Sequence, residues 1–313
     1  MKSGKKVVFF TEPNWAFGSI HSSLCKVLYP NVNGEIVDFF QQYSLSTIQE
    51  IDSITDLWVT NWPSLLIKEY EISPEKIVFL AHANWDLQTM HNQLPPKILK
   101  RLNKCGVISN HLKTSYMQGN WGERGDFPHV ARLGIDYDRF ANIGREHPVT
   151  QLKRIAVMGA YESYNIYGQE IKRGRLVKET IEYINSKYKF GLEFVNFPKA
   201  HYLSMPHRYS TLDCVVMAST EEGGGLPMLE AAAAGRLCIG TNVGYFANEK
   251  YGVHLTPEYD ENEFKTRLEK AILYYIDPFH KFELEQKCRE AQRAAMEWDW
   301  SRRRNEWLDF LLA

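Results

Sequence analysis

The sequence predicts an α/β protein made of two doubly wound parallel-sheet domains, and three observations carry that prediction. Short apolar runs recur along the chain and alternate with amphipathic or proline-started segments, the pattern of parallel strands joined by crossover helices. The stretch 213–244, DCVVMASTEEGGGLPMLEAAAAGRLCIGTNVG, reads as strand, acidic glycine-rich turn, alanine-rich helix and second strand. A chain of 313 residues suits two domains of ordinary size, each with its own core.

In chain order, 5–11 (KKVVFFT) reads as a buried first strand, followed by a loop, EPNWAFGS, and an amphipathic helix ending near Pro30. Further strands are expected at 35–40 (EIVDFF), 57–61 (LWVTN), 76–81 (KIVFLA), 106–110 (GVISN) and 129–133 (HVARL). The segment ANIGREHPVTQ has a connector's composition. A second set begins with KRIAVMG at 153–159 and continues through LEFVNF at 192–197, the 213–244 unit, GVHL and helices from 260 onward. In the last stretch Trp300, Trp307 and Phe310 fall at spacings that share one helical face, so packing is their expected job.

Composition removes several function classes. Lys plus Arg number 37 against 38 Asp plus Glu, so no bulk basic bias argues for nucleic acid. No stretch approaches the length of a membrane span, and the apolar run near the start is too short for a signal-peptide core. Cys25, Cys105, Cys214, Cys238 and Cys288 form no C-x-x-C pair and read as reduced core thiols of a cytoplasmic protein. The absence of G-x-G-x-x-G argues against a dinucleotide oxidoreductase.

The 213–244 unit holds the chemistry. Gly223, Gly224 and Gly225 lie between strand and helix, where missing side chains let backbone approach a ligand and adopt positive φ. Pro227 fits the first helical position, and the unpaired N–H groups of that turn suit an anion such as a diphosphate. Glu222 and Glu230, eight positions apart, flank this place as acceptors for sugar or ribose hydroxyls.

The Glu222 to Glu230 spacing within EGGGLPMLEAAAAG resembles the donor-site motif of retaining glycosyltransferases of family four, the group 1 glycosyltransferases. The resemblance implies a GT-B fold, two Rossmann-like domains facing across a cleft. The implied divisions are an acceptor-side domain at 1–147, a nucleotide-sugar domain at 148–295 and a closing helix at 296–313 that packs back on the first domain. It implies that Glu222 contacts the transferred sugar and Glu230 the ribose, with the three glycines and Leu226 lining the donor. His82 directly follows a predicted strand, at the carboxyl end where such sheets gather ligands, and matches the family's His near that sugar. Gly18 stands in the loop where the family contacts donor or acceptor. The family holds the diphosphate with an Arg after a strand's glycine and a Lys before a later glycine. Here Ala160 and Arg173 occupy those places, making Lys172, Arg173 and Lys178 the candidate cations. VARLGIDYDRF resembles the strand leading into the interdomain linker, and its Asp136 and Asp138 also form a D-x-D.

The implied function is metal-independent transfer of a sugar, with retention, from a UDP-, GDP- or ADP-linked donor. The donor is a substrate, so no cofactor is expected. The acceptor is a glycan or another hydroxyl-bearing molecule, modified nucleic acid not excluded. A sugar-nucleotide epimerase of the same fold and a non-catalytic nucleotide-sugar-binding module are the alternatives, the first separable by incubation with donor alone.

Half of the eight tryptophans occur in the pairs Asn14-Trp15, Asn61-Trp62, Asn84-Trp85 and Asn120-Trp121. An indole beside an amide offers a stacking face and hydrogen bonds to a sugar ring. Trp15 and Trp85 are the expected acceptor-site residues.

Overall fold

The structure, a computed structural model, describes residues 4–12, 16–118, 128–158, 161–164, 168–197, 201–256 and 260–313. They form two compact units, 1–134 with 300–313, and 135–299.

The first unit runs β1 (Lys5–Thr11), α1 (Ala16–Leu28), β2 (Val32–Asp38), α2 (Leu45–Ser53), β3 (Leu57–Thr60), α3 (Pro63–Glu69), β4 (Ile77–Ala81), α4 (Asn84–Gln93), α5 (Pro96–Leu99), β5 (Lys104–Val107), α6 (Asn110–Gln118) and β6 (His129–Val130). Its six strands are parallel in the order β2-β1-β3-β4-β5-β6. The order reverses between β1 and β3, which opens a crevice beyond the carboxyl ends of those strands. Val7, Val8, Phe9 and Phe10 are wholly buried, as a central strand covered on both faces requires. The expected strand at 129–133 pairs over two residues only, because Arg132 turns its backbone N–H and guanidinium to Glu306. Glu306 belongs to the final helix, Trp300–Leu312, which lies in this unit, with the buried Trp307 indole donating to the Arg132 carbonyl at 2.9 Å.

The second unit holds α7 (Tyr137–Glu146), β7 (Arg154–Met158), α8 (Gly174–Tyr188), β8 (Glu193–Phe197), α9 (Met205–Ser210), β9 (Cys214–Met217), α10 (Leu226–Ala233), β10 (Leu237–Thr241), β11 (Val253–Leu255), α11 (Glu261–Ile276) and α12 (Lys281–Ala295). Five parallel strands run β11-β10-β9-β7-β8, with the reversal between β7 and β9. The core between sheet and helices includes Ile155, Leu176, Val177, Ile181, Ile239, Phe264 and Leu268.

The connector reading of ANIGREHPVTQ is corrected over its first half: 141–146 continue helix α7, and α7 lies in the second unit although the division expected at 147 put it in the first. Composition misleads there because tertiary packing decides. Phe140 is buried edge-on to the Tyr209 ring at 5.7 Å, and Gly144 passes so close to α10's end that a Cβ on it would meet the Ala234 carbonyl oxygen at 2.8 Å.

Candidate functional site

In the second unit the site grows from the β9 strand end. The chain leaves β9 through Ala218 and Ser219 and crosses the acidic turn. It then enters α10 at Gly225, whose φ of 74° is the left-handed conformation that a Cβ disfavours. The helix begins at Leu226, one residue earlier than the sequence suggested, so Pro227 takes the second position, where its missing N–H still falls among unpaired groups. The loop is pinned from two sides: Tyr245 N–H donates to the Gly224 carbonyl at 2.9 Å and Thr220 N–H to the Ile171 carbonyl at 2.9 Å.

This folding brings Glu222 and Lys172 into an ion pair, and Ser219 Oγ donates to the same Glu222 Oε1 at 2.7 Å. Lys172 sits just before α8, the helix that follows β7, so the pair bridges the segments leaving the two strands of the switch point. A cavity of about 80 Å³ lies there, lined among others by Val157, Lys172, Ser219, Glu222, Pro227 and Met228. A cation, a carboxylate and the positive end of a helix thus converge on one small space, an arrangement able to hold an anion beside a hydroxyl-bearing group.

Glu230 lies one turn into α10 and is buried. Tyr209 donates its phenol proton to Glu230 Oε2 at 2.9 Å. Burial pushes the Glu230 carboxyl up to about 7, against the pull of the Tyr209 hydrogen bond and of Arg139. Arg173, the residue before α8, has a φ of 48°, is 2% exposed and donates Nε–H to the Ala218 carbonyl at 2.7 Å. It braces the β9 exit from within, whereas Lys172 lines the cavity. Lys178 is on the exposed side of α8, 3.8 Å from Glu182. Ala160 and Trp15 lie outside the described residues.

In the first unit, His82 follows β4 and is buried, and burial lowers its imidazole to about 3, so it is neutral at pH 7. Its backbone N–H donates to Asp86 Oδ2 at 2.7 Å, and the same carboxylate receives Ala83 N–H and the Asn61 amide. Asp86 therefore fixes the start of α4 and the turn that carries His82. The Asn61 amide is engaged there rather than offered beside Trp62 as the Asn-Trp reading supposed. Gly18 is corrected from loop to helix: α1 starts at Ala16, and glycine is tolerated in a first turn whose N–H groups lack partners in any case. Trp85, 44% exposed, stands edge-on to Trp62 at 6.1 Å, and Trp62 stacks on Phe39 at 5.4 Å, with Phe40 beside Phe39. These rings follow β2, β3 and β4 at the carboxyl edge of the first sheet.

Asp136 and Asp138 sit at the start of α7, and among the described residues no group of three or more His, Cys, Asp or Glu is placed to hold a metal. Sequence reasoning did not single out Ser219 or Tyr209. Ser219 had a signal, lying three residues before Glu222 at a strand end. Tyr209 had none, since only the packing of α9 against α7 and α10 brings it to Glu230.

Residues 153–273 match the family of group 1 glycosyl transferases. The matched residues lie within the second unit. No curated protein matches the sequence. Among solved structures, the chain is similar to Anabaena HepE in complex with UDP and glucose, with a TM-score of 0.63 and 13% identity over 98% of this chain and 99% of that one. It is similar to the catalytic domain of starch synthase IV from Arabidopsis thaliana bound to ADP and acarbose, with a TM-score of 0.66 and 12% identity over 98% of each chain. The UDP-forming α,α-trehalose-phosphate synthase from Burkholderia vietnamiensis gives a TM-score of 0.65 and 11% identity over 98% of this chain and 99% of that one. At such identities the likeness is one of fold, and the fold is GT-B. No helix among the described residues is long and apolar enough to cross a membrane.

The Glu230 carboxyl supplies a pH test. Its folded value, about 7, lies above its ordinary 4.5, so its contribution to stability is full below about pH 4.5 and is lost as pH rises through about 7. Glu230→Gln should therefore gain stability relative to wild type on going from pH 4.5 to pH 8, read as melting temperature. Parallel pH curves for the two proteins would contradict the buried, raised carboxyl.

Proposed function

We propose that this protein transfers a glycosyl group, with retention, from a nucleotide-diphosphate sugar to an acceptor hydroxyl. The observation that carries the reading is the meeting of Lys172, Glu222 and the α10 N-terminus at one cavity, with Glu230 one turn further along the same helix. Breaking the glycosidic bond leaves growing negative charge on the diphosphate, and preplaced dipoles and a cation lower that cost without a metal. Lys172 exchanges Glu222 for the diphosphate when donor binds, which frees Glu222 to accept from sugar hydroxyls. Arg173 holds the Ala218 carbonyl and so supports the loop from behind. Gly223, Gly224, Gly225 and Leu226 bring main chain close to the donor, and Glu230 accepts from the ribose.

His82, neutral at pH 7, serves as a hydrogen-bonding group near the transferred sugar rather than as a charge. Support for a nucleotide sugar comes from the group 1 match and from relatives whose structures contain UDP or ADP. A glycan acceptor is favoured by the exposed aromatic rank ending in Trp85.

A calorimetric panel of UDP-, GDP- and ADP-linked sugars, followed by an acceptor screen, tests the reading; absence of both binding and transfer would reject it. Glu230→Ala should weaken nucleotide binding, since lost ribose contacts affect ground and transition states alike. Glu222→Ala should instead lower turnover more than nucleotide affinity, by roughly 10²-fold or more if its contacts tighten in the transition state. Equal nucleotide affinity in wild type and Glu230→Ala would remove the ribose assignment. For the acceptor, Trp85→Ala should raise the acceptor KM about tenfold, the order expected for a lost stacking contact, with donor affinity and melting temperature nearly unchanged. A fall in melting temperature with unaltered acceptor kinetics would make Trp85 a packing residue.

A further inference from the structure

We propose that Tyr209 is a positioning residue of the donor site: its phenol holds Glu230 as an oriented carboxylate, the form that accepts from ribose hydroxyls. The inference rests on the ribose reading of Glu230 above.

Tyr209 is fully buried in α9, edge-on to Phe140, so its hydroxyl has one fixed place to point. That hydroxyl lies 2.9 Å from Glu230 Oε2 and 3.1 Å from the Pro227 carbonyl oxygen. A phenol has one proton and donates fully to one acceptor at a time. When Glu230 is ionised, the carboxylate is the stronger acceptor and takes the proton in a charge-assisted bond. When Glu230 is protonated, its own O–H can donate to the phenol oxygen, and the phenol is then free to donate to Pro227 in the first turn of α10. The phenol thus links the ionisation of Glu230 to the turn that receives the diphosphate.

The other charged or titratable groups around the pair leave this task to Tyr209. Arg139 of α7 lies 4.7 Å over the Tyr202 ring and donates to the Leu203 carbonyl at 2.7 Å, acting on Glu230 only through space. Tyr202 and Cys238 have their own protons held on, by burial first, and Asp136 acts on Tyr202. Burial alone favours a protonated Glu230, an acid that would present its proton to the ribose in place of a lone pair.

The test is calorimetric affinity for UDP, GDP and ADP, taking whichever binds wild type, between pH 5.5 and 9 in wild type, Tyr209→Phe and Glu230→Gln. The nucleotide's own phosphate titration is common to all three proteins and cancels in the comparison. Wild type should lose affinity as pH falls through about 7. Tyr209→Phe should shift that midpoint upward by about one pH unit, the size expected for losing a hydrogen bond to a charged group. Its affinity should be about fivefold weaker at pH 7, the factor a one-unit shift of a midpoint near 7 gives there, and recover toward pH 9, while Glu230→Gln should be weak with no such midpoint. An unshifted midpoint, or a loss equal at every pH, would overturn the role of Tyr209 and leave the ribose reading standing. Full affinity in Glu230→Gln, or no binding of any of the three nucleotides by wild type, would overturn both. If Tyr209→Phe does not fold, NMR of wild type decides: the protected Tyr209 hydroxyl proton should move when nucleotide is added, and an unmoved resonance would sink the proposal.

Discussion

The glycine corner at residue 225 is the constraint on which the candidate site of the second unit depends. A parallel strand must hand its chain to a helix running back along the sheet, and the handover here turns through a φ of 74°. A side chain at that position would be strained by its own backbone, and its Cβ would meet Met217 Sδ at 3.3 Å. Because the corner is tight, the α10 N-terminus opens on the same cavity as the β7 and β9 strand ends. Glu222 just before the corner then lines that space, and Glu230 follows one turn into the helix. The ion pair to Lys172 depends on the same corner, since Glu222 reaches it only from the loop that Gly225 closes.

Electrostatically, the two carboxylates are treated differently by the fold, and the difference follows from their partners. Glu222 is met by an ammonium and a serine hydroxyl, both of which suit a charged acceptor. Glu230 is met by a phenol within an apolar shell, which leaves its charge poorly compensated and its proton retained to about 7. One acid is thus held in an ion pair at the cavity, and the other is a group whose protonation is decided by burial and one phenol. The spacing of eight along the chain says nothing of this; the environment supplies it.

Much of the architecture was legible in the sequence because parallel strands buried on both faces read as unbroken apolar runs. β1, β4, β7, β9 and β10 all fell where such runs stood, within a residue or two at their ends. The strand-to-helix turn that carries Glu222 and Glu230 was legible because glycine and proline cluster between two apolar runs there. What escaped was set by tertiary contacts. Helix α7 was hidden by a connector-like composition that the packing of Phe140 and Gly144 overrides. Arg173 read as one of three candidate cations with Lys172 and Lys178; its Nε–H is given to the Ala218 carbonyl, whereas the adjacent Lys172 lines the cavity. Tyr209 carried no signal because nothing in a separation of 21 positions says that α9 returns to Glu230.

The most direct test of the account is a crystal structure of the protein with whichever of UDP, GDP or ADP it binds, grown in the presence of EDTA. The diphosphate should lie at the α10 N-terminus with the Lys172 ammonium moved from Glu222 to a phosphate oxygen, and the ribose should be hydrogen-bonded to Glu230. A nucleotide bound elsewhere, or a Lys172–Glu222 pair left intact beside it, would contradict the account.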